Sequence, residues 1–227
     1  MTGRMFSAAF VAALVLISID ARAQQFEAVY SIEGVSSSTA KAAMEDLFSD
    51  PAMEGATVSL YAADFGVSTG SLKLVADFDN YAQRAERDKK RRPSHGWSRW
   101  QLAMEDAEFV AADMAGVVAD YGKPRHTADY LLVYLVNVQD PAVYAAALEE
   151  MNDALDNPGV LRLVAMRTGS RAVTHAVLIG GKDFAAVNEY MDDLYASDAF
   201  RTFVSKVSGI RSVVHVEAYR KLGAWGY

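Results

Sequence analysis

Tyr130-Leu-Leu-Val-Tyr-Leu-Val-Asn-Val138 is apolar on both faces of any strand it forms. In an extended chain Leu132, Tyr134 and Val136 point one way, and Leu131, Val133 and Leu135 the other. A sheet with one wet face shows polar residues at every second position. This strand does not, so both faces of its sheet must be covered. The segments that follow supply one cover. Pro141 to Leu155 reads as a helix with Asp140 as N-cap and proline in its first turn. Val160 to Met166 and Ala172 to Ile179 read as strands around a Thr168-Gly169-Ser170 turn. Asp183 caps a helix running to about Tyr195, a further helical turn covers Ala199 to Val207, and Val213 to Tyr219 is a last strand. The order β-α-β-β-α-β is a split ferredoxin-like unit, whose helices cover one face of an antiparallel sheet. The other face still needs a partner.

That partner lies earlier in the chain. Ala42-Ala43-Met44-Glu45-Asp46-Leu47 lines up with Ala146-Ala147-Leu148-Glu149-Glu150-Met151, and Gly55 with Gly159. Further on, Asn80-Tyr81-Ala82 matches Asp183-Phe184-Ala185, and Ser94 to Trp100 matches Ser197 to Phe203. Each match is weak, but their colinearity marks a duplication. The first half carries the same elements. These are a strand over Phe26 to Ile32 and a helix over Ser37 to Phe48, with Ser38 or Thr39 as N-cap. Strands follow at Thr57 to Ala62 and Ser71 to Ala76, then a helix over Asn80 to Lys90 and Trp97 to Met104 broken at Pro93. Phe109 to Val118 is the fourth strand. The expected fold is α+β: two tandem ferredoxin-like repeats, residues 24–122 and 126–222, their antiparallel sheets packed face to face as a pseudo-dimeric α/β barrel. Residues 223–227 are a tail, either an aromatic plug or frayed.

The doubled unit resembles the dimeric α/β-barrel superfamily, which includes the antibiotic-biosynthesis-monooxygenase-like proteins. The resemblance rests on Ser197-Asp-Ala-Phe200-Arg-Thr-Phe203 after a helix bearing Phe184. It covers roughly residues 26–220. It implies two ferredoxin-like units meeting through their sheets, here within one chain. It does not select an activity, since that superfamily hosts oxygenases, isomerases, haem-handling enzymes, ligand binders and sensors.

Ahead of the repeats, Arg4 precedes an apolar run from Met5 to Ile19 that ends at Ala21-Arg22-Ala23. This is the three-part pattern of a secretory signal peptide, residues 1–23, cleaved after Ala23. The run is short of the ~20 residues a membrane span needs. The expectation is a periplasmic or secreted protein with no stable membrane span after signal removal.

Composition narrows the chemistry. The 227 residues include no Cys, which excludes disulfide scaffolds, thiolate metal sites and a cysteine nucleophile. A net charge of −7 argues against nucleic acid as a partner. No motif calls for a cofactor or a metal. His215-Val-Glu217 places imidazole and carboxylate on one face of a strand, but no third ligand is evident. His175, mid-strand among Val173, Val177 and Ile179, is either a base with a shifted pKa or a satisfied core residue. His175 and His215 are the candidate catalytic residues. The stretch from Lys89 to Trp100 concentrates basic charge and two tryptophans. It reads as an anion-binding rim, with His95, Trp97, Arg99 and Trp100 as candidate ligand-binding residues. The alternative is a solvated basic face with Trp97 and Trp100 packed as counterparts of Phe200 and Phe203.

Three functions fit these residues. The first is a small-molecule binder whose apolar barrel interior or sheet–helix cavity holds an aromatic or lipid-like ligand. The second, which the resemblance implies, is a cofactor-independent monooxygenase acting on an aromatic or quinol-like substrate, with His175 or His215 as base. The third is a protein-interaction module that uses the basic loop. The chain is expected as a monomeric pseudo-dimer or a homodimer.

Overall fold

The computed structural model describes residues 25–227 except 68–69, 156, 158 and 170–171. The segment read from sequence as a signal peptide, residues 1–23, lies outside the described residues. The described residues form eight strands and six α-helices in two rounds. The first round is β1 (Phe26–Glu33), α1 (Ser37–Phe48), β2 (Thr57–Phe65), β3 (Leu72–Phe78), α2 (Tyr81–Arg91), α3 (His95–Ala103) and β4 (Glu108–Gly122). The second is β5 (Tyr130–Val138), α4 (Pro141–Asp153), β6 (Val160–Thr168), β7 (His175–Gly181), α5 (Phe184–Ala196), α6 (Asp198–Val207) and β8 (Arg211–Trp225).

Helix starts repeat between the halves. Ser36 and Asp140 cap α1 and α4, Asn80 and Asp183 cap α2 and α5, and Ser94 and Ser197 cap α3 and α6. In each case a side-chain oxygen accepts a backbone N–H three residues on, satisfying a donor the helix leaves unpaired. The cap of α1 is therefore Ser36, two residues before the serine expected from sequence, because Ser36 is the residue still in extended backbone.

The strands close into one barrel in the order β1-β3-β2-β8-β5-β7-β6-β4. Each half contributes its sheet in the order four-one-three-two, and the seams are β2–β8 and β4–β6. The strands at the seams, β4 and β8, are fifteen residues each because they serve both halves. β4 pairs with β1 through its first part and with β6 through its second, and β8 does the same with β5 and β2. β8 runs on to Trp225, past the boundary at 222. Gly226 then turns at φ +78°, where a Cβ would strike the Ala56 carbonyl, and places Tyr227 on the barrel end. There the Tyr227 hydroxyl donates to Asp77, and its ring stacks on His126 at 4.0 Å.

The barrel's outside is covered by helices over two apolar clusters, one per half. Its inside holds apolar clusters, as expected from sequence, together with buried charged side chains that the sequence reading did not place there. Leu131, Val133 and Leu135 do face inward, but so do Glu27, Lys73, Asp113 and Glu217, each no more than 6% exposed. One end is filled by Arg125, which enters from the linker between the halves. It donates to Glu27 (2.9 Å), Tyr61 (2.8 Å) and Asp77 (2.7 Å). Burial works against its charge, yet Tyr61, Asp77 and Glu27 outweigh that and hold the guanidinium well above its ordinary pKa. Arg162 joins the same Glu27 and forks onto Asp120.

Candidate functional site

The two halves are built alike, so each controls for the other. In the first half, Tyr30 on the helix-covered face meets Phe109 edge-on at 6.2 Å, and Phe109 meets Trp100 at 6.1 Å. Trp100 stacks on Trp97 at 4.6 Å, and the Arg91 guanidinium lies 3.8 Å over the Trp97 ring. These side chains pack between sheet and helices, with Trp100 buried and Phe109 45% exposed. The equivalent positions in the second half are Tyr134, Val213, Phe203 and Phe200. The register fixes the first two: Phe109 sits opposite Ile32, and Val213 opposite Val136. At these four positions each replacement is smaller or equal, whereas Tyr144 stands where the first half has Ala40, and a pocket of about 190 Å³ lies between the sheet and α4, α5 and α6.

The pocket's walls are aliphatic and aromatic: Leu148, Met151, Leu161, Val177, Met191 and Phe203 among them. Its polar groups are few and converge. Tyr134 and Tyr195 share a hydrogen bond of 2.7 Å between hydroxyls. Burial, then that bond, raises the Tyr134 pKa. Burial also raises the Tyr144 pKa, while Arg211 opposes it by charge and hydrogen bond. Arg211, the first residue of β8, also stands 5.4 Å over the Phe203 ring. Val213 and Tyr195, both more than 40% exposed, give the pocket its mouth. A cavity with apolar walls, a few convergent hydroxyls and one guanidinium has the make-up of a small-molecule site.

The sequence-derived candidates fall elsewhere. His175 shares the pocket's face of the sheet with Val177 but does not line the pocket. It is 5% exposed, its Nδ1 lies 2.9 Å from Thr174 Oγ1, and burial lowers its pKa. His215 sits opposite Leu135, on the barrel's inner side, and its Nε2 bonds the Gly66 carbonyl. The two imidazoles thus face opposite sides of the barrel wall and share no cavity. His95 and Arg99 are exposed on the outer helix layer, and Arg99 is committed to Asp46 by two bonds of 2.8 and 3.2 Å. Trp97 and Trp100 pack with the first-half core, Trp100 being buried. The basic run is largely paired within its own helix: Lys90 with Glu86, Arg91 and Arg92 with Asp88. Glu217 is buried beside Tyr219, which donates to it at 2.5 Å, so the pairing of His215 with Glu217 on a metal gains no support. Among the described residues no group of three His, Asp or Glu could hold a metal ion. No imidazole lines the sheet–helix pocket.

Tyr134, Tyr144, Tyr195 and Arg211 carried no motif that sequence reasoning could seize. Their signal was the duplication itself: where the first half has Trp97, Trp100 and Phe109, the second has two phenylalanines and a valine.

No protein-family profile matches the chain, and no curated protein matches it. Solved structures do. The chain superposes on a candidate monooxygenase from Fusobacterium nucleatum with a TM-score of 0.61 and 13% identity, over 89% of this chain and 94% of that one. A candidate monooxygenase from Lactobacillus acidophilus gives 0.60 and 12%, over 89% and 95%. An anthrone oxidase-like protein gives 0.55 and 10%, over 90% and 93%. At such identities the likeness is one of fold, and it spans both halves: the chain has the dimeric α/β-barrel fold, with its two ferredoxin-like units joined in a single polypeptide.

Proposed function

We propose that the protein binds a small aromatic molecule bearing a hydroxyl or similar oxygen, and that the site is the sheet–helix pocket of the second half. The observation that carries this reading is the pocket's make-up: about 190 Å³ between the sheet and α4, α5 and α6, with apolar walls, the Tyr134–Tyr195 hydroxyl pair and Arg211. Arg211 would take the ligand's oxygen, the aliphatic wall would take its ring, and the Tyr134–Tyr195 pair would close over it. The size suits about one substituted ring, since a cavity of ~150 Å³ admits benzene. A lipid chain would not fit. The test is native mass spectrometry of gently purified protein, together with thermal shifts over a panel of phenols and quinols. Retained or stabilising single-ring compounds are expected; a protein that retains none and is stabilised by none contradicts the reading.

A second reading makes the protein an oxygenase, and the position of Arg211 beside Tyr144 favours it. A guanidinium at the ligand oxygen stabilises the phenolate or enolate, the electron-rich form that reacts with O2 without a metal. For an activated methylene the balance is CH2 + O2 → C=O + H2O. Oxygen uptake with an anthrone or quinol substrate checks it; unchanged uptake on replacing Arg211 with Met removes the role given to that residue.

The site of action proposed is outside the cytoplasm, supported by Arg4, the apolar run and Ala21-Arg22-Ala23. Sequencing the N-terminus of the exported protein should begin at Gln24; an intact Met1 would contradict it.

A further inference from the structure

α2 and α5 stand at the same place in the two repeats, and they carry opposite charge. α2 holds five basic residues and two acidic ones. α5 holds three acidic residues, Glu189, Asp192 and Asp193, and no basic one. The reversal is sharpest at Lys89-Lys90, whose counterparts in the second repeat are Asp192-Asp193. All four residues are exposed.

The acidic cluster works against its own helix. Glu189 and Asp193 are like charges one turn apart, and Asp193 lies in the last turn, where the helix dipole favours cations. Among the described residues none of the three acidic side chains has a hydrogen-bond or ion-pair partner. The basic helix does have internal pairs, Lys90 with Glu86 and Arg91 and Arg92 with Asp88. These leave Lys89 unpaired, and five basic residues against two acidic ones still leave a positive surplus. α2 also buries none of its residues, whereas α5 buries Val187, Met191 and Leu194. A helix so polar gains little from packing within its own chain. At the first turns Tyr81 and Phe184 are each more than half exposed, so both faces also offer an aromatic ring.

We infer that the α2 face of one copy docks on the α5 face of a second copy, with Lys89 and Lys90 meeting Asp192 and Asp193. The charge pattern selects a second copy as the partner, because each molecule carries both members of the complement. α2 packs on β3 and α5 on β7, which lie four strands apart in the closed barrel. The two faces are therefore on opposite sides, and the contact is heterologous: it joins copies in a row or a ring. It does not involve the sheet–helix pocket.

The test is sedimentation velocity at about 20 mM and about 500 mM salt. The net charge of −7 makes copies repel at a distance, and salt screens that repulsion. Association that weakens with salt therefore reports the local attraction. Wild type should form species larger than one chain at the lower salt, with an association constant at least about tenfold smaller at the higher. Lys89→Glu/Lys90→Glu and Asp192→Lys/Asp193→Lys should each stay monomeric alone. Mixed one to one they should associate again, since the first presents acids on both faces and the second lysines on both. A wild type that is monomeric at both salts overturns the proposal, as does unchanged association in either variant or a mixture that stays monomeric. Wild type that gathers on anionic vesicles without self-association also overturns it and gives the basic face to a lipid surface. Should a double variant not fold, Lys89→Glu or Asp192→Lys, each at an exposed unpaired position, decides in its place.

Discussion

Phe109 and Val213 occupy the same place in the two halves, one opposite Ile32 and the other opposite Val136, each 45% exposed, and the isopropyl group of Val213 borders the sheet–helix pocket. Val213→Phe should therefore restore the first-half arrangement in the second half. The variant is expected to fold with an unchanged or higher melting temperature, because a ring replaces empty space, while affinity for 4-bromophenol falls at least tenfold. Isothermal titration and a thermal melt read both quantities. Undiminished affinity would place the ligand elsewhere.

The reverse change opens the closed half. Trp100→Ala removes a buried indole that stacks on Trp97 and touches the Phe109 ring. It should cost about 3–5 kcal/mol in denaturant unfolding. Indole added in solution should recover part of that loss by refilling the cavity. A loss below about 1 kcal/mol would mean that the tryptophan pair does not fill this space.

Arg211 is the group that would set the charge state of the ligand. With 4-nitrophenol, whose phenolate absorbs in the visible, wild-type protein should lower the apparent pKa of the bound phenol. Arg211→Met should shift it back towards the solution value while ring burial keeps binding measurable. Equal bound pKa values in the two proteins would remove Arg211 from the site.

Stability should fall on acidification in two stages. Burial holds the His175 pKa below its ordinary value. The unfolded chain therefore takes up a proton first, and stability is lost as pH falls from about 6.5 towards the folded value. Burial would raise the Asp77 pKa, but Arg125 outweighs it and holds the carboxyl low. Its contribution is complete above about pH 4 and lost below. His126, whose pKa burial and then Arg125 also lower, adds to the first stage, so denaturant melts across pH should show His175→Leu with a smaller first stage and an unchanged second.

How much of this was legible beforehand follows from what alternation can show. Tyr130 to Val138 displays two apolar faces, and from that the covered sheet, the second unit and the barrel could all be argued. The caps at Asp140 and Asp183 were readable because a short oxygen-bearing side chain preceded an apolar period. β4 and β8 ran longer than their patterns suggested because bulges, between Val117 and Ala119 and between Leu60 and Tyr61, break the two-residue period at the seams. The site was the least legible. His175 and His215 drew attention as titratable groups, yet they stand on opposite sides of one sheet, which turns on a one-residue difference in strand register. The interior charges were visible as Glu27, Lys73 and Asp113 in alternate strand positions. The same covered-sheet argument, applied to the first half, would have buried them. The pocket left no motif, because a cavity is written in residues that are smaller than their counterparts.

The most direct measurement is a crystal soaked with 4-bromophenol and phased on bromine. The account predicts one anomalous peak between the sheet and α4 and α6 in the second half, with the phenol oxygen turned towards Arg211. A peak between Trp97, Trp100 and the first sheet, or none between sheet and helices in either half at saturating ligand, would contradict it.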